Sequence, residues 1–114
     1  MRFCTFRQDG ITRAGIVKPE GILPLGATNI KEVIEMFTLN ELQGLAANTT
    51  TNLIDPQTVT YAAPYHNPSK LWGIGLNYQD HAADLDEVSP NEEPASFMKP
   101  ITTIINPGDN IVLP

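Results

Sequence analysis

Ten prolines and eight glycines are spread along 114 residues, and this punctuation holds the chain to short strands, short helices and turns. Residues 1–25 read as a small antiparallel meander. Phe3-Cys-Thr-Phe6 alternates, Asp9-Gly10 marks a tight turn, and Ala14-Gly-Ile-Val17 leads through a Pro19-Glu-Gly21 turn into Ile22-Leu-Pro-Leu25. Asn29 with Glu32 three positions on predicts a capping box, followed by Ile30, Val33, Ile34 and Phe37 at helical spacing. Thr38 with Glu41 repeats the capping signal, and Leu42, Leu45 and Ala46 continue an apolar face, so a second short helix is expected before the polar run at 48–52. Val59-Thr-Tyr-Ala62 reads as a strand, and the proline-rich stretch from Ala63 to Lys70 as a connector. The expected fold class is mostly β with short helices (α+β). It comprises a small β-rich domain with two short helices at 1–64, then the beginning of a second domain at 65–114.

Charge and composition remove several function classes. The net charge is -6 with only seven Lys and Arg, so the basic patch that phosphate neutralisation requires is missing and no nucleic-acid partner is expected. No apolar run approaches the roughly 20 residues that span a bilayer. The first seven residues alternate like a strand and are too short in apolar content for a signal peptide. A cytoplasmic protein without a membrane partner is the expectation. Cys4 is the only cysteine, which excludes an intrachain disulfide and a cysteine zinc site and leaves it as a small packing residue. His66, in the connector, is expected to be a solvated loop residue.

The chemistry-bearing stretch is Gly73-Ile-Gly-Leu-Asn-Tyr-Gln-Asp-His-Ala-Ala-Asp84. If the chain turns helical from Tyr78, His81 and Asp84 stand on one face, as residues three apart do. A carboxylate hydrogen-bonded to one ring nitrogen fixes the imidazole tautomer and raises the basicity of the other nitrogen, which outlines a general-base dyad. The same spacing also describes an ordinary surface pair. Leu71-Trp-Gly-Ile-Gly-Leu76 reads as a buried strand in which Gly73 and Gly75 allow a ligand close to the main chain. It is not a dinucleotide fingerprint, because the third glycine position is Tyr78. Asn77 suits a helix N-cap, and Tyr78 suits either a pocket mouth or the core. Lys99 suits either a substrate carboxylate or the open surface.

Three blocks occur in order: Leu71 to Asp84, Pro94-Ala-Ser-Phe-Met-Lys99, and Pro107-Gly-Asp-Asn-Ile-Val-Leu-Pro114. Together they resemble the fumarylacetoacetate hydrolase family, closely over 64–114. The first sixty residues look like the small amino-terminal domain of many bacterial members. The resemblance implies a mixed β-roll catalytic domain beginning at 65. It also implies a Mg2+- or Mn2+-dependent enzyme acting on small 2-oxo or 1,3-dioxo acids. The reaction would be acylpyruvate-type carbon–carbon hydrolysis, or isomerisation or decarboxylation of acids such as oxaloacetate or hydroxymuconate-type compounds.

His81 and Asp84 would be catalytic, Tyr78 and Lys99 substrate-binding, and the protein a homodimer. The family's usual glutamate after the histidine is here Asp84, one methylene shorter. The family's metal ligands fall beyond Pro114, so no metal ligand is expected in this chain, and Asp86, Glu87, Glu92 and Glu93 read as solvated charges. The chain is accordingly expected to be the amino-terminal part of such an enzyme, inactive alone. The alternative is a non-catalytic interaction module that needs a second polypeptide for the metal ligands, its apolar ending at Ile111-Val-Leu113 pairing as a strand edge.

Overall fold

The computed structural model describes residues 1–75 and 95–113. The described chain is α+β and mostly β, as expected. It divides into two compact units, residues 1–66 with 104–114, and residues 67–103.

The first unit is built on a four-stranded antiparallel sheet. Its strands are β1 (Arg2–Gln8), β2 (Ile11–Lys18), β3 (Gly21–Pro24) and β4 (Thr60–Ala62), in the order β3-β2-β1-β4. Gln8 pairs with Ile11, so the first hairpin closes through Asp9 and Gly10 alone, with φ of 52° and 76°. Two consecutive positive φ values are what a two-residue turn needs to match the twist of its strands, and an Asp-Gly pair tolerates them. β4 returns from far along the chain to pair with the outer side of β1, Thr5 opposite Ala62.

The register puts Ala14, Ile16 and Leu23 on one face of the sheet, since Ile16 lies opposite Leu23. They pack with Leu25, Ala27, Val33 and Leu42 into the main core, which Ile30, Phe37, Leu45 and Ala46 flank. Val33 comes from α1 (Ile30–Met36) and Leu42 from α2 (Leu39–Asn48), so each short helix contributes one buried apolar residue. On the other face Phe6 and Ile22 are fully buried. Gly15 makes that possible: a Cβ there would lie 2.7 Å from Ile22 Cγ2 and 3.3 Å from the Phe6 ring.

The α2 cap forms as the sequence predicts. Thr38 accepts from the Glu41 N–H at 3.3 Å and donates its own N–H to the Glu41 carboxylate at 2.7 Å. The α1 cap departs from the expected box. Asn29 accepts from the Glu32 N–H, but the Glu32 carboxylate reaches past Asn29 to the N–H and hydroxyl of Thr28, at 2.7 and 2.8 Å. Thr28 offers two donors to the carboxylate where the Asn29 main chain offers one, which accounts for the shift of one residue.

The second unit contains a two-stranded antiparallel sheet, β5 (Trp72–Gly75) and β6 (Ala95–Met98), and a 3-10 turn at Ile101–Thr103. Of the expected strand at 71–76, Trp72–Gly75 form β5, but it is not buried. Trp72 and Ile74 are 60% and 62% exposed, because among the described residues no layer covers the face they share. The apolar ending after the Pro107-Gly-Asp109 turn forms no strand among the described residues. Residues 110–113 have no strand partner among the described residues, and Ile111, Val112 and Leu113 stay exposed. A strand without a neighbour lacks the ladder hydrogen bonds that define it.

Among the described residues, no helix is long and apolar enough to cross a membrane.

Candidate functional site

Lys99 is the one predicted site residue that the described structure places. His81, Asp84 and Tyr78, with the Asn77 cap, lie outside the described residues. Lys99 directly follows β6, and its N–H donates to the Leu71 carbonyl at 2.8 Å, extending the β5-β6 ladder by one bond. Its side chain is exposed, with the ammonium 5.9 Å from the centroid of the Phe97 ring. At that distance the ring quadrupole attracts the cation and steers the ammonium along the strand end.

Phe97 also explains Gly73. The two are cross-strand partners, and a Cβ at 73 would lie 2.7 Å from Phe97 Cε2. The expectation that Gly73 admits a ligand to the main chain therefore gives way to a packing role, since the ring occupies the space a side chain would take. Neither Gly73 nor Gly75 has positive φ, so no unusual backbone dihedral is needed there. The sequence reading missed Phe97. A glycine facing an aromatic on the neighbouring strand becomes visible only once the register is known.

Four further features of the first unit bear on chemistry. Burial pushes the Cys4 thiol pKa up, which favours the unreactive thiol and agrees with a packing role. His66 is not the solvated residue expected. It is half-buried, and its Nε2 is shielded without a hydrogen-bond partner among the described residues. The Pro64 carbonyl accepts from the Thr5 hydroxyl and the Ile30 N–H, which ties this part of the connector down onto the first unit. An apolar cleft edged by Ile30, Ile34, Pro64 and Tyr65 carries Lys31 and Glu35 at its rim, and these two are hydrogen-bonded to each other.

Asn106, which the sequence reading passed over, joins two distant parts of the chain. Its Oδ1 accepts from the Ala63 N–H at 3.1 Å, while its own N–H and Nδ2 donate to the Asp109 carboxylate at 2.9 and 2.7 Å. The Asp109 N–H closes the turn on the Asn106 carbonyl at 3.1 Å, with Gly108 at φ 84°. Asn-Pro-Gly-Asp is the signature of a type II turn, which was the available sequence signal. The Asn106 N–H holds the Asp109 carboxyl below its ordinary range, helped by the Asn106 side chain and by the positive charges of Arg7 and His66.

A divalent cation of the kind the resemblance implies needs several oxygen ligands converging on one point. Among the described residues, no three His, Cys, Asp or Glu side chains come together in that way. The described residues do not fit such an ion.

Comparison with known proteins finds a hydrolase, oxaloacetate tautomerases and proteins of no stated activity among the relatives. Residues 70–114 match the family model described as fumarylacetoacetate (FAA) hydrolase C-terminal. Over its whole length the chain is 30% identical to a 2,4-didehydro-3-deoxy-L-rhamnonate hydrolase of Sphingomonas sp. (strain SKA58), of which it covers 39%. Over 49% of its length it is 41% identical to a mitochondrial oxaloacetate tautomerase of Bos taurus, covering 18% of that protein. It is also 48% identical over 59 residues to an uncharacterized protein of Archaeoglobus fulgidus. No solved structure matches. Residues 70–114 are thus similar to the fumarylacetoacetate hydrolase family, and the chain spans less than two-fifths of the length of these relatives.

Proposed function

We propose that this chain is part of a divalent-metal-dependent enzyme of the fumarylacetoacetate hydrolase family, acting on a small 2-oxo or 1,3-dioxo acid. The carrying observation is the match of 70–114 to the family's catalytic-domain model, within a segment that contains His81, Asp84 and Lys99. The relatives' names point to two reactions, hydrolysis and keto–enol tautomerisation.

Both reactions need a group that moves a proton. His81 is the proposed base. Asp84 holds the imidazole in the tautomer that leaves the other ring nitrogen free to accept a proton from water or from a carbon next to a carbonyl. Lys99 supplies a positive point charge for a substrate carboxylate, and Tyr78 a hydroxyl to orient it. Mg2+ or Mn2+ is the proposed metal, held by residues outside this chain. The working form is proposed to be a cytoplasmic homodimer. A second polypeptide could supply the metal ligands in place of a continuation of this chain. The intact mass of the natural product separates these two arrangements.

The test is a substrate panel on the natural-length protein. Acylpyruvates, oxaloacetate enol and 2-oxo-3-deoxy sugar acids are offered with Mg2+ or Mn2+, and again after chelation. Turnover of at least one of them, lost on chelation and restored by metal, is the expected result. Turnover that survives chelation refutes metal dependence, and the absence of turnover across the panel refutes the substrate class.

A further inference from the structure

We propose that Asn106 is a clasp that holds together the two points at which the chain leaves and re-enters the first unit. Residues 67–103 form a separate compact unit, whereas 1–66 and 104–114 belong together. The departing strand is fixed three times over within three residues. Ala62 pairs with Thr5 in the sheet, the Ala63 N–H donates to Asn106, and the Pro64 carbonyl accepts from Thr5 and Ile30. Among the described residues, only the Ala63 bond reaches across to the returning segment. Ala63 is 4% exposed, so without that acceptor a nearly buried donor would go unsatisfied.

Asn106 is built for this task. Every hydrogen-bonding group of its side chain is engaged, with Oδ1 on Ala63 and Nδ2 on Asp109, and the Asp109 carboxylate also receives its N–H. The type II turn therefore sets the amide plane before it meets Ala63. Closing a long loop costs entropy that grows only slowly with length, so one well-placed buried hydrogen bond can bias where its ends sit. The Asn106 N–H, and after it the Asn106 side chain, holds the Asp109 carboxyl below its ordinary range, which favours the ionised acceptor these donors need. The bearing on catalysis rests on the proposed function, because 67–103 carries His81 and Lys99. The clasp itself does not depend on that reading.

The test is amide hydrogen exchange and nuclear Overhauser spectroscopy on the full chain, comparing wild type with Asn106→Ala. The expected result is exchange at the Ala63 N–H at least about tenfold faster, the fold-change for losing roughly 1.4 kcal/mol. The sheet amides of Ile16 and Leu23 keep their protection, and contacts between 62–64 and 105–107 disappear. Unchanged exchange at Ala63, or loss of protection at Ala63, Ile16 and Leu23 together, overturns the clasp. Should Asn106→Ala fail to fold, Asp109→Ala removes only the groups that orient Asn106. It is expected to accelerate Ala63 alone, by a smaller factor, and no change at Ala63 overturns the proposal. Neither readout involves turnover, so failure here leaves the enzymatic reading untouched, and the reverse holds too.

Discussion

Thr5 sits 1% exposed in the middle of β1, and its hydroxyl has one route to satisfaction, the Pro64 carbonyl at 3.2 Å. Replacing it with the near-isosteric valine removes the buried hydrogen bond but leaves Pro64 its bond from Ile30. Thr5→Val is therefore expected to cost about 1 kcal/mol, read as a lower urea midpoint with unchanged slope. Gly73 is constrained from the opposite direction, by too little space. Gly73→Ala drives a methyl into the Phe97 ring, with an expected cost of about 1–3 kcal/mol for the overpacking. The same change in a Phe97→Ala background should be nearly neutral. A double-mutant cycle in which both backgrounds lose equally refutes the Gly73–Phe97 contact. Neither constraint can be read from the residue's own neighbours in sequence: Thr5 meets a residue 59 positions away, and Gly73 a residue on another strand.

Short helices survive here because their ends are satisfied. In α2 the Thr38–Glu41 box is complete, so Thr38→Ala should lose about 1 kcal/mol of stability in chemical denaturation. The Thr38 N–H, then its hydroxyl, lowers the Glu41 pKa, and the Thr28 N–H, then its hydroxyl, lowers that of Glu32. A carboxyl whose folded pKa lies below its unfolded value of about 4.3 contributes stability that is present above that value and fades as pH falls through the folded pKa. Helical circular dichroism at 222 nm should therefore decline below about pH 4. Glu41→Gln should start lower at pH 7 and show a shallower acid loss, and an identical acid profile in the variant contradicts the assignment.

These helices were legible in the sequence because caps and the 3.6-residue period are local. So was the Asp9-Gly10 hairpin, whose signal lies in two adjacent residues. The exposure of Trp72 and Ile74, and of Ile111 to Leu113, was not legible. An apolar run states that a segment prefers cover, not which layer provides it. The Glu32 shift to Thr28 failed for a finer reason, since the capping pattern does not tell the carboxylate which of two adjacent main-chain donors to take.

At the scale of the molecule, the structure describes a small amino-terminal sheet capped by two helices. The family match begins at residue 70, after the connector. The first unit brings no three metal-binding side chains together among its described residues, and burial pushes its cysteine thiol pKa up. It anchors the connector at Pro64 and receives the returning turn at Asn106. The proposed chemistry belongs to the motif segment, where the blocks around His81 and Lys99 named the family from sequence while the substrate stayed open. One motif set serves hydrolase and tautomerase alike, so the fold does not choose between them.

The most direct test of the central claim is turnover by the natural-length, metal-loaded protein with His81 replaced by asparagine, on whichever oxo acid the panel identifies. Removing a general base is expected to lower kcat by about 10²–10⁴ with little change in KM. Asp84→Asn should produce a smaller loss of the same kind. A His81→Asn protein that folds, binds metal and turns over at the wild-type rate would contradict the account.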